Sequence, residues 1–284
     1  MNIHSFSNHI SQLGESPVWD ESNQCLWWVD IIGHQIMRQY WGQRTECFPT
    51  PKRPTALGIL DADTLIVAFE DGLYKWSSLS NTRSLIAHLN ERPQNRTNDG
   101  KIGPDGRFWF GTMDDNAQLK TGALYSIDGK SNIKCHLEGI GISNTFAWSP
   151  CGAWMYFGDS MVQNIYRFPF KEGQLGPSDI FVDLSNTNYH PDGSCIDSTG
   201  CLWNAQWDGS RLVRYSPKGE TLEVINLPVL RPTSCCFGGP NGQHIFITTA
   251  REDGLHFPFS KRNKSGTVLT IETQHHGLPN NKWK

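Results

Sequence analysis

Residues 96–112 have the sequence RTNDGKIGPDGRFWFGT, and this stretch contains the plan that the rest of the chain repeats. Its first four residues carry a guanidinium, an amide and a carboxylate. Residues 103–106, Gly-Pro-Asp-Gly, are a tight-turn signal. The residues after the turn are aromatic and apolar. The stretch therefore predicts a strand, a turn and a second strand, with the polar groups at one end of the hairpin and the turn at the other.

Composition excludes several classes of partner. Charged residues make up 19% of the 284 residues and the net charge is -3, which argues against an electrostatic nucleic-acid binder. No apolar stretch reaches transmembrane length, and residues 1–20 lack the features of a signal peptide. We therefore expect a cytoplasmic monomer or weak dimer that binds neither nucleic acid nor membrane. Its eight cysteines should be reduced and largely buried.

Turn signals recur along the chain with a period in the forties. One marker residue per turn gives steps of 40, 43, 46, 48 and 42 residues: Ser22, Ala62, Asp105, Cys151, Thr199 and Asn241. Short segments rich in aromatic and β-branched residues follow each turn, and no segment has convincing helical periodicity. Six such units predict an all-β fold, a six-bladed β-propeller with four-stranded antiparallel blades, in a single domain over residues 1–284.

Two packed β-sandwich domains are the alternative fold. No linker-like break interrupts the repeat, which favours the propeller. The repeat starts only near Leu13. The first ten residues should therefore supply a strand to the last blade and close the ring.

Polar residues recur where the innermost strand of each unit begins. The equivalent positions are separated by 41, 42, 46, 48 and 42 residues: Glu15, Ala56, Asn98, Asn144, Asp192 and Ser234. In a propeller these positions meet at one mouth of the central channel. Carboxylate and amide oxygens facing a common point are what a hard divalent cation requires. The alternative is that these Asn and Asp residues merely initiate strands after loops.

Arg96 precedes Asn98 by two residues, so an extended strand points both side chains to the same face. An arginine can hold a substrate oxygen through several directed hydrogen bonds. The alternative is that Arg96 pairs with Asp99 or another local carboxylate. Asp99, beside the channel, is expected to orient Arg96 or Asn98.

Several motifs, in order from residue 13 to beyond 250, resemble the SMP-30/gluconolactonase/LRE family, which includes regucalcin and bacterial sugar lactonases. They are GESPVW (14–19), RTNDGK (96–101), GTM (111–113), GALY (122–125), ISN (142–144), PDGSCID (191–197) and TSCCFGG (233–239). The resemblance implies a propeller that binds one divalent metal through Glu15, Asn144 and Asp192. It also implies that Arg96 and Asn98 contact the substrate.

The activity that the resemblance implies is hydrolysis of an aldonolactone, such as a gluconolactone or an arabinonolactone, to the aldonic acid. Asp192 is the expected general base for the attacking water. The metal stays open between Ca²⁺, Zn²⁺, Mg²⁺ and Mn²⁺. Some family members have an acidic residue that reaches the substrate after the GTM motif. In this chain residues 114–117 are Asp-Asp-Asn-Ala, and the sequence does not say which of them has that role.

Two other functions remain open at this point. One is a metal-dependent hydrolase of another ester or of a phosphotriester on the same fold. The other is a non-catalytic calcium-binding propeller, which would not need Arg96 and Asn98 beside the metal ligands.

Overall fold

The computed structural model describes residues 2–89, 92–251 and 264–284, and within these ranges the chain forms β-strands and no helix. The strands form six antiparallel sheets. The innermost strand of each sheet contacts the innermost strands of both neighbouring sheets, so the sheets close into a ring. The fold is therefore the predicted all-β, six-bladed β-propeller. No helix in the described ranges is long and apolar enough to cross a membrane.

Each blade contains four main antiparallel strands, which are consecutive in blades 1, 2 and 3, and the innermost strand lies next to the channel. Blade 1 comprises β2 (Gly14–Asp20), β3 (Cys25–Asp30), β4 (Gln35–Tyr40) and β5 (Glu46–Pro49). Blade 2 comprises β6 (Pro54–Ile59), β7 (Thr64–Phe69), β8 (Gly72–Ser77) and β9 (Thr82–His88). Blade 3 comprises β10 (Asn95–Ile102), β11 (Phe108–Asp114), β12 (Gly122–Ile127) and β13 (Ile133–Ile140).

The second half of the ring has the same plan with one addition. Blade 4 comprises β14 (Ser143–Trp148), β15 (Trp154–Asp159), β16 (Asn164–Lys171) and β18 (Asp179–Asp183), and the short β17 (Gln174–Leu175) pairs with the end of β16. Blade 5 comprises β19 (His190–Ile196), β20 (Leu202–Trp207), β21 (Arg211–Tyr215) and β22 (Thr221–Asn226). Blade 6 comprises β23 (Pro232–Gly238), β24 (His244–Thr249), β25 (Leu269–Glu272) and β1 (Ile3–Ser5).

Blade 6 joins the two ends of the chain. Its outer strand β1 pairs with β25, with Ile3 opposite Ile271, which confirms that the first ten residues complete the last blade. Strand β25 begins at Leu269, three residues after Gly266. Gly266 has a φ of 81°, and this left-handed conformation makes it a turn residue rather than a strand residue.

The described residues form six hydrophobic core clusters, one at each interface between neighbouring blades. Successive side chains on a strand point to opposite faces. In blade 1, Trp27 therefore packs against blade 2, while Trp28 packs against blade 6. Because both faces of the second strand of a blade are covered, these second strands consist almost entirely of buried residues. Burying each large side chain contributes roughly 2–3 kcal/mol.

Every innermost strand contains a one-residue β-bulge near one end of the channel. The six register shifts fall at 15/18, 54/56, 97/100, 144/147, 191/194 and 232/234. A bulge bends its strand and redirects the neighbouring side chains. Ser16 and Thr145, which follow Glu15 and Asn144, have φ values of 48° and 58°. Such left-handed conformations of residues other than glycine cost about 1 kcal/mol each and are concentrated at functional sites.

The other end of the channel, the far mouth, is covered by the C-terminal strap, residues 274–284. Asn280 and Asn281 donate hydrogen bonds to the carbonyls of Trp19 (2.5 Å) and Ile102 (3.0 Å). The backbone N–H of Lys284 donates a hydrogen bond to the carbonyl of Gly106, and the carbonyl of Lys284 accepts one from the N–H of Gly129, both at 2.8 Å. The strap covers a chamber of about 150 Å³ that residues of all six blades line.

Candidate functional site

The end of the channel opposite the strap, the polar mouth, contains the residues that the sequence indicated. Glu15, Asn98, Asn144 and Asp192 lie at or beside the bulges of blades 1, 3, 4 and 5. Glu15, Asn144 and Asp192 are only 8%, 4% and 5% exposed. The side-chain amides of Asn98 and Asn144 are in direct contact, because Asn98 Nδ2 donates to Asn144 Oδ1 at 3.1 Å.

Three buried carboxylates at the polar mouth have raised pKa values, chiefly because they are buried. Burial, followed by the charge of Asp99, raises the pKa of Glu15 well above its ordinary value. Burial, followed by the charges of Glu15 and Asp99, does the same to the pKa of Asp192. Burial raises the pKa of Asp99 to about 6. Among the described residues, neither Glu15 nor Asp192 has an ion-pair partner. No cation in direct contact therefore neutralises these two carboxylates.

The hydroxyl of Ser160 determines which way the Asn144 amide points. Ser160 Oγ donates its hydrogen to the carbonyl of Pro191 at 2.5 Å, so it can only accept from Asn144 Nδ2 at 2.8 Å. The carbonyl oxygen of the Asn144 amide, Oδ1, is therefore on the other side, where Asn98 contacts it. Asn144 thus presents an oxygen towards Asn98. Sequence reasoning did not identify Ser160.

Arg96 lies on the same strand as Asn98 and bonds to it directly. Arg96 Nη1 donates to Asn98 Oδ1 and to the carbonyl of Thr97, both at 2.9 Å. Its Nε donates to Asp115 at 2.8 Å. The alternative considered for Arg96, pairing with a local carboxylate, is therefore realised through Asp115. Asp99 accepts the backbone amide of Gly100 instead, so the expectation that it orients Arg96 or Asn98 is wrong.

The two adjacent aspartates in the loop after the GTM motif have different roles. Asp114 is buried and accepts the backbone amides of Gln118 and Leu119, so it shapes the turn. Asp115 lies at the polar mouth between Arg96 and Arg53. Sequence reasoning left the loop open and did not identify Arg53. The tripeptide Arg-Pro-Thr, which occurs at 53–55 and again at 231–233 in equivalent positions of the repeat, was the available signal.

The sequence predicted that the oxygens of Glu15, Asn144 and Asp192 would hold a cation at this mouth. Across the ranges that the structure describes, no three His, Cys, Asp or Glu side chains form a metal-binding group. A cation here would therefore have two carboxylates and an amide oxygen from the protein. Such a set without nitrogen or sulfur suits Ca²⁺, Mg²⁺ or Mn²⁺ and leaves further coordination positions for water or substrate.

Comparison with known proteins identifies the family. The family model described as SMP-30/Gluconolactonase/LRE-like region matches residues 13–251. The 6-deoxy-6-sulfogluconolactonase of Pseudomonas putida is 35% identical over 252 residues, covering 86% of this chain and 85% of that protein. Regucalcin of Danio rerio is 34% identical over 254 residues, covering 84% and 83%.

Solved structures agree with these relatives. A calcium-binding protein, regucalcin, from Agrobacterium tumefaciens superimposes with a TM-score of 0.94 at 26% identity, over 99% of this chain and 96% of that one. A luciferin-regenerating enzyme superimposes with a TM-score of 0.91 at 25% identity, over 100% and 99%. The chain belongs to the SMP-30/gluconolactonase/LRE-like family.

Proposed function

We propose that this protein is a divalent-metal-dependent sugar lactonase that hydrolyses an aldonolactone to the aldonic acid. The observation that carries the proposal is the pair of buried carboxylates, Glu15 and Asp192, which have no ion-pair partner among the described residues and lie beside an arginine and two amides. Family membership and the relatives named as lactonases support the same reaction.

The residues at the polar mouth fit a divalent cation. Without one, Glu15, Asp99 and Asp192 place three carboxylates against the two cations Arg96 and Lys101 in a buried channel. Buried charges are stable only when they are paired or bound to a metal. Glu15, Asn144 and Asp192 would hold the ion. When bound, it would polarise the lactone carbonyl and acidify a water molecule.

Arg96 and Asn98 would hold the sugar hydroxyls. Among the described residues Arg96 Nη2 has no hydrogen-bond partner, while Nε and Nη1 are already used. Nη2 is therefore the donor left for a substrate oxygen. Because Asn98 is bonded to both Arg96 and Asn144, the group that holds the sugar is fixed relative to the oxygens that would hold the ion. Such fixed positions lower the entropic part of the barrier.

Asp192 would accept the proton of the attacking water. Its carbonyl is fixed by Thr145 Oγ1 (2.5 Å) and by Asn204 Nδ2 (2.9 Å), so its backbone is rigid while its carboxylate stays available. Water would add to the lactone carbonyl carbon, and the ring C–O bond would break. The proton held by Asp192 would then pass to the departing alkoxide, which leaves a hydroxy acid and restores the carboxylate.

A substrate screen tests the proposal. Purified protein is stripped with EDTA and supplied separately with Ca²⁺, Mg²⁺, Mn²⁺ or Zn²⁺, and acid release from several aldonolactones is followed with a pH indicator. We expect release above the spontaneous rate that depends on the added metal. Hydrolysis of a phosphotriester but of no lactone would favour the other hydrolase. Metal binding without any hydrolysis would indicate a calcium-binding propeller.

A further inference from the structure

Two arginines from different blades share one carboxylate at the rim of the polar mouth. Arg53, just before β6 in blade 2, binds Asp115 in a bidentate manner, with Nη1–Oδ1 and Nη2–Oδ2 distances of 2.9 and 2.8 Å. Arg96 Nε binds the same Oδ1 at 2.8 Å. Arg53 is itself fixed by Glu70 through an Nε–Oε2 bond of 2.5 Å. All four side chains line one cleft of about 390 Å³.

Asp115 is fully engaged by this arrangement. Both of its oxygens accept from Arg53, and one also accepts from Arg96. The pKa of Asp115 is lowered, chiefly by its hydrogen bonds to Arg53. Asp115 is therefore occupied by the two arginines, and its hydrogen bonds to Arg53 contribute most to keeping its carboxylate ionised and in place.

The position of Arg96 depends on Asp115 because its guanidinium is almost buried. Its side chain is 10% exposed, and burial lowers its pKa. The Nε bond to Asp115 and the Nη1 bonds to Thr97 and Asn98 fix the plane of the guanidinium. A fixed plane also fixes the direction of Nη2, which is the donor left for substrate.

We propose that Arg53 is a positioning residue for lactone binding: through Asp115 it holds the Arg96 guanidinium in the orientation that receives a substrate hydroxyl. The substrate part of this statement rests on the proposed lactonase function. Arg53 itself does not touch the substrate. Its effect therefore falls on KM, since the lost orientation weakens a contact that the bound substrate and the transition state share.

The chain provides a matched control in blade 6. Arg231 also precedes a Pro-Thr pair at the start of an innermost strand, and its Nε binds Asp208 at 2.7 Å. The side chains of Arg231 and Asp208 are 26% and 32% exposed, against 26% and 37% for Arg53 and Asp115. Neither Arg231 nor Asp208 bonds to Arg96. Arg231→Gln therefore removes a similar ion pair without loosening Arg96.

The kinetic experiment compares Arg53→Gln, Arg53→Lys and Arg231→Gln on the best lactone with saturating metal. We expect Arg53→Gln to raise KM about tenfold with kcat within about twofold of wild type. Arg53→Lys should recover part of the loss, since it keeps the charge but not the bidentate geometry. Arg231→Gln should match wild type. Arg53→Gln combined with Asp115→Asn should be no worse than Asp115→Asn alone.

A second measurement tests the positioning without using activity. The Nε–H signal of Arg96 in ¹⁵N-arginine NMR spectra, assigned with Arg96→Gln, should exchange its hydrogen about tenfold faster in Arg53→Gln and at the wild-type rate in Arg231→Gln. Unchanged exchange with unchanged KM would overturn the proposal, as would a fall in kcat alone. If wild type hydrolyses no lactone, the lactonase function is wrong, and the exchange rate still decides whether Arg53 positions Arg96.

Discussion

The two mouths of the channel are built from the same six strands and have opposite character. The polar mouth buries Glu15, Asp99 and Asp192, whose pKa values are all raised. At the far mouth the same strands contribute mainly apolar residues to the chamber under the strap, and the strap donates hydrogen bonds to the carbonyls of Trp19 and Ile102. The bulges lie at the polar mouth.

The residues proposed to act in catalysis lie at one end of the innermost strands, and residues that stabilise the fold lie at the other end. The polar mouth carries backbone strain at Ser16 and Thr145 and unneutralised charge, both of which destabilise the fold. At the far mouth, strap residues donate hydrogen bonds to strand carbonyls, and apolar side chains pack together. We infer that changes at the polar mouth affect metal binding and catalysis, whereas changes at the far mouth affect the free energy of unfolding.

The largest expected effect tests the polar mouth directly. Asp192→Ala removes both a proposed ligand and the proposed base, so lactone hydrolysis should fall by at least ~10³-fold. The melting temperature without metal should not decrease, because the change also removes a buried carboxylate with a raised pKa. Initial rates and thermal melts check both statements, and Asp179→Ala, on the exposed outer strand of blade 4, is the control. Wild-type rates in the Asp192 variant would refute its assignment.

The sequence predicted what depends on the repeat and missed what depends on contacts between blades. The period and the strand signals predicted the propeller, because each blade uses local turn chemistry and both-face burial. Equivalent positions in the repeat predicted that four residues lie at one mouth: Glu15, Asn98, Asn144 and Asp192. Arg53 and Ser160 were missed because their roles depend on Asp115 and Asn144, which come from other blades or other strands. A periodic pattern does not specify such side-chain pairs.

Ser160→Ala tests whether a single hydroxyl orients a proposed metal ligand at the polar mouth. Without the hydroxyl, the Asn144 amide loses the bond that directs its oxygen, so we expect the affinity for Mn²⁺ to fall about tenfold. Isothermal titration calorimetry with Mn²⁺ on EDTA-stripped protein measures this. Ser143→Ala is the matched control, because Ser143 precedes Asn144 and its buried hydroxyl has no hydrogen-bond partner among the described residues. Equal losses in the two variants would contradict the orienting role.

Trp283→Ala tests the far mouth. Trp283 belongs to the strap, packs against the cluster between blades 2 and 3, and has the Lys75 ammonium 5.5 Å from its ring. Because its side chain is only partly buried, its removal should lower the free energy of unfolding by ~1–2 kcal/mol. Urea unfolding measures this loss, and Leu79→Ala, at an exposed position, is the control. A matching fall in metal affinity or kcat would show that the two mouths are not separable.

His136 lies outside both mouths, and its protonation is expected to have the smallest effect on the free energy of unfolding. It lies on the outer strand of blade 3, stacked on Trp109 with ring centroids 4.2 Å apart, and burial lowers its pKa to about 4. The unfolded chain, with an ordinary pKa of about 6.5, binds the proton more readily. The free energy of unfolding should therefore decrease as the pH falls from about 6.5 to about 4. Because the ring is partly exposed, this loss should be only ~1 kcal/mol.

His136→Asn should remove that part of the pH dependence, because asparagine does not ionise in this range. Urea unfolding of wild type and variant at several pH values between 4 and 7.5 measures the difference, with His4→Asn at an exposed site as the control. The free-energy gap between wild type and variant should narrow on acidification. A gap independent of pH would mean that His136 is not held neutral by burial.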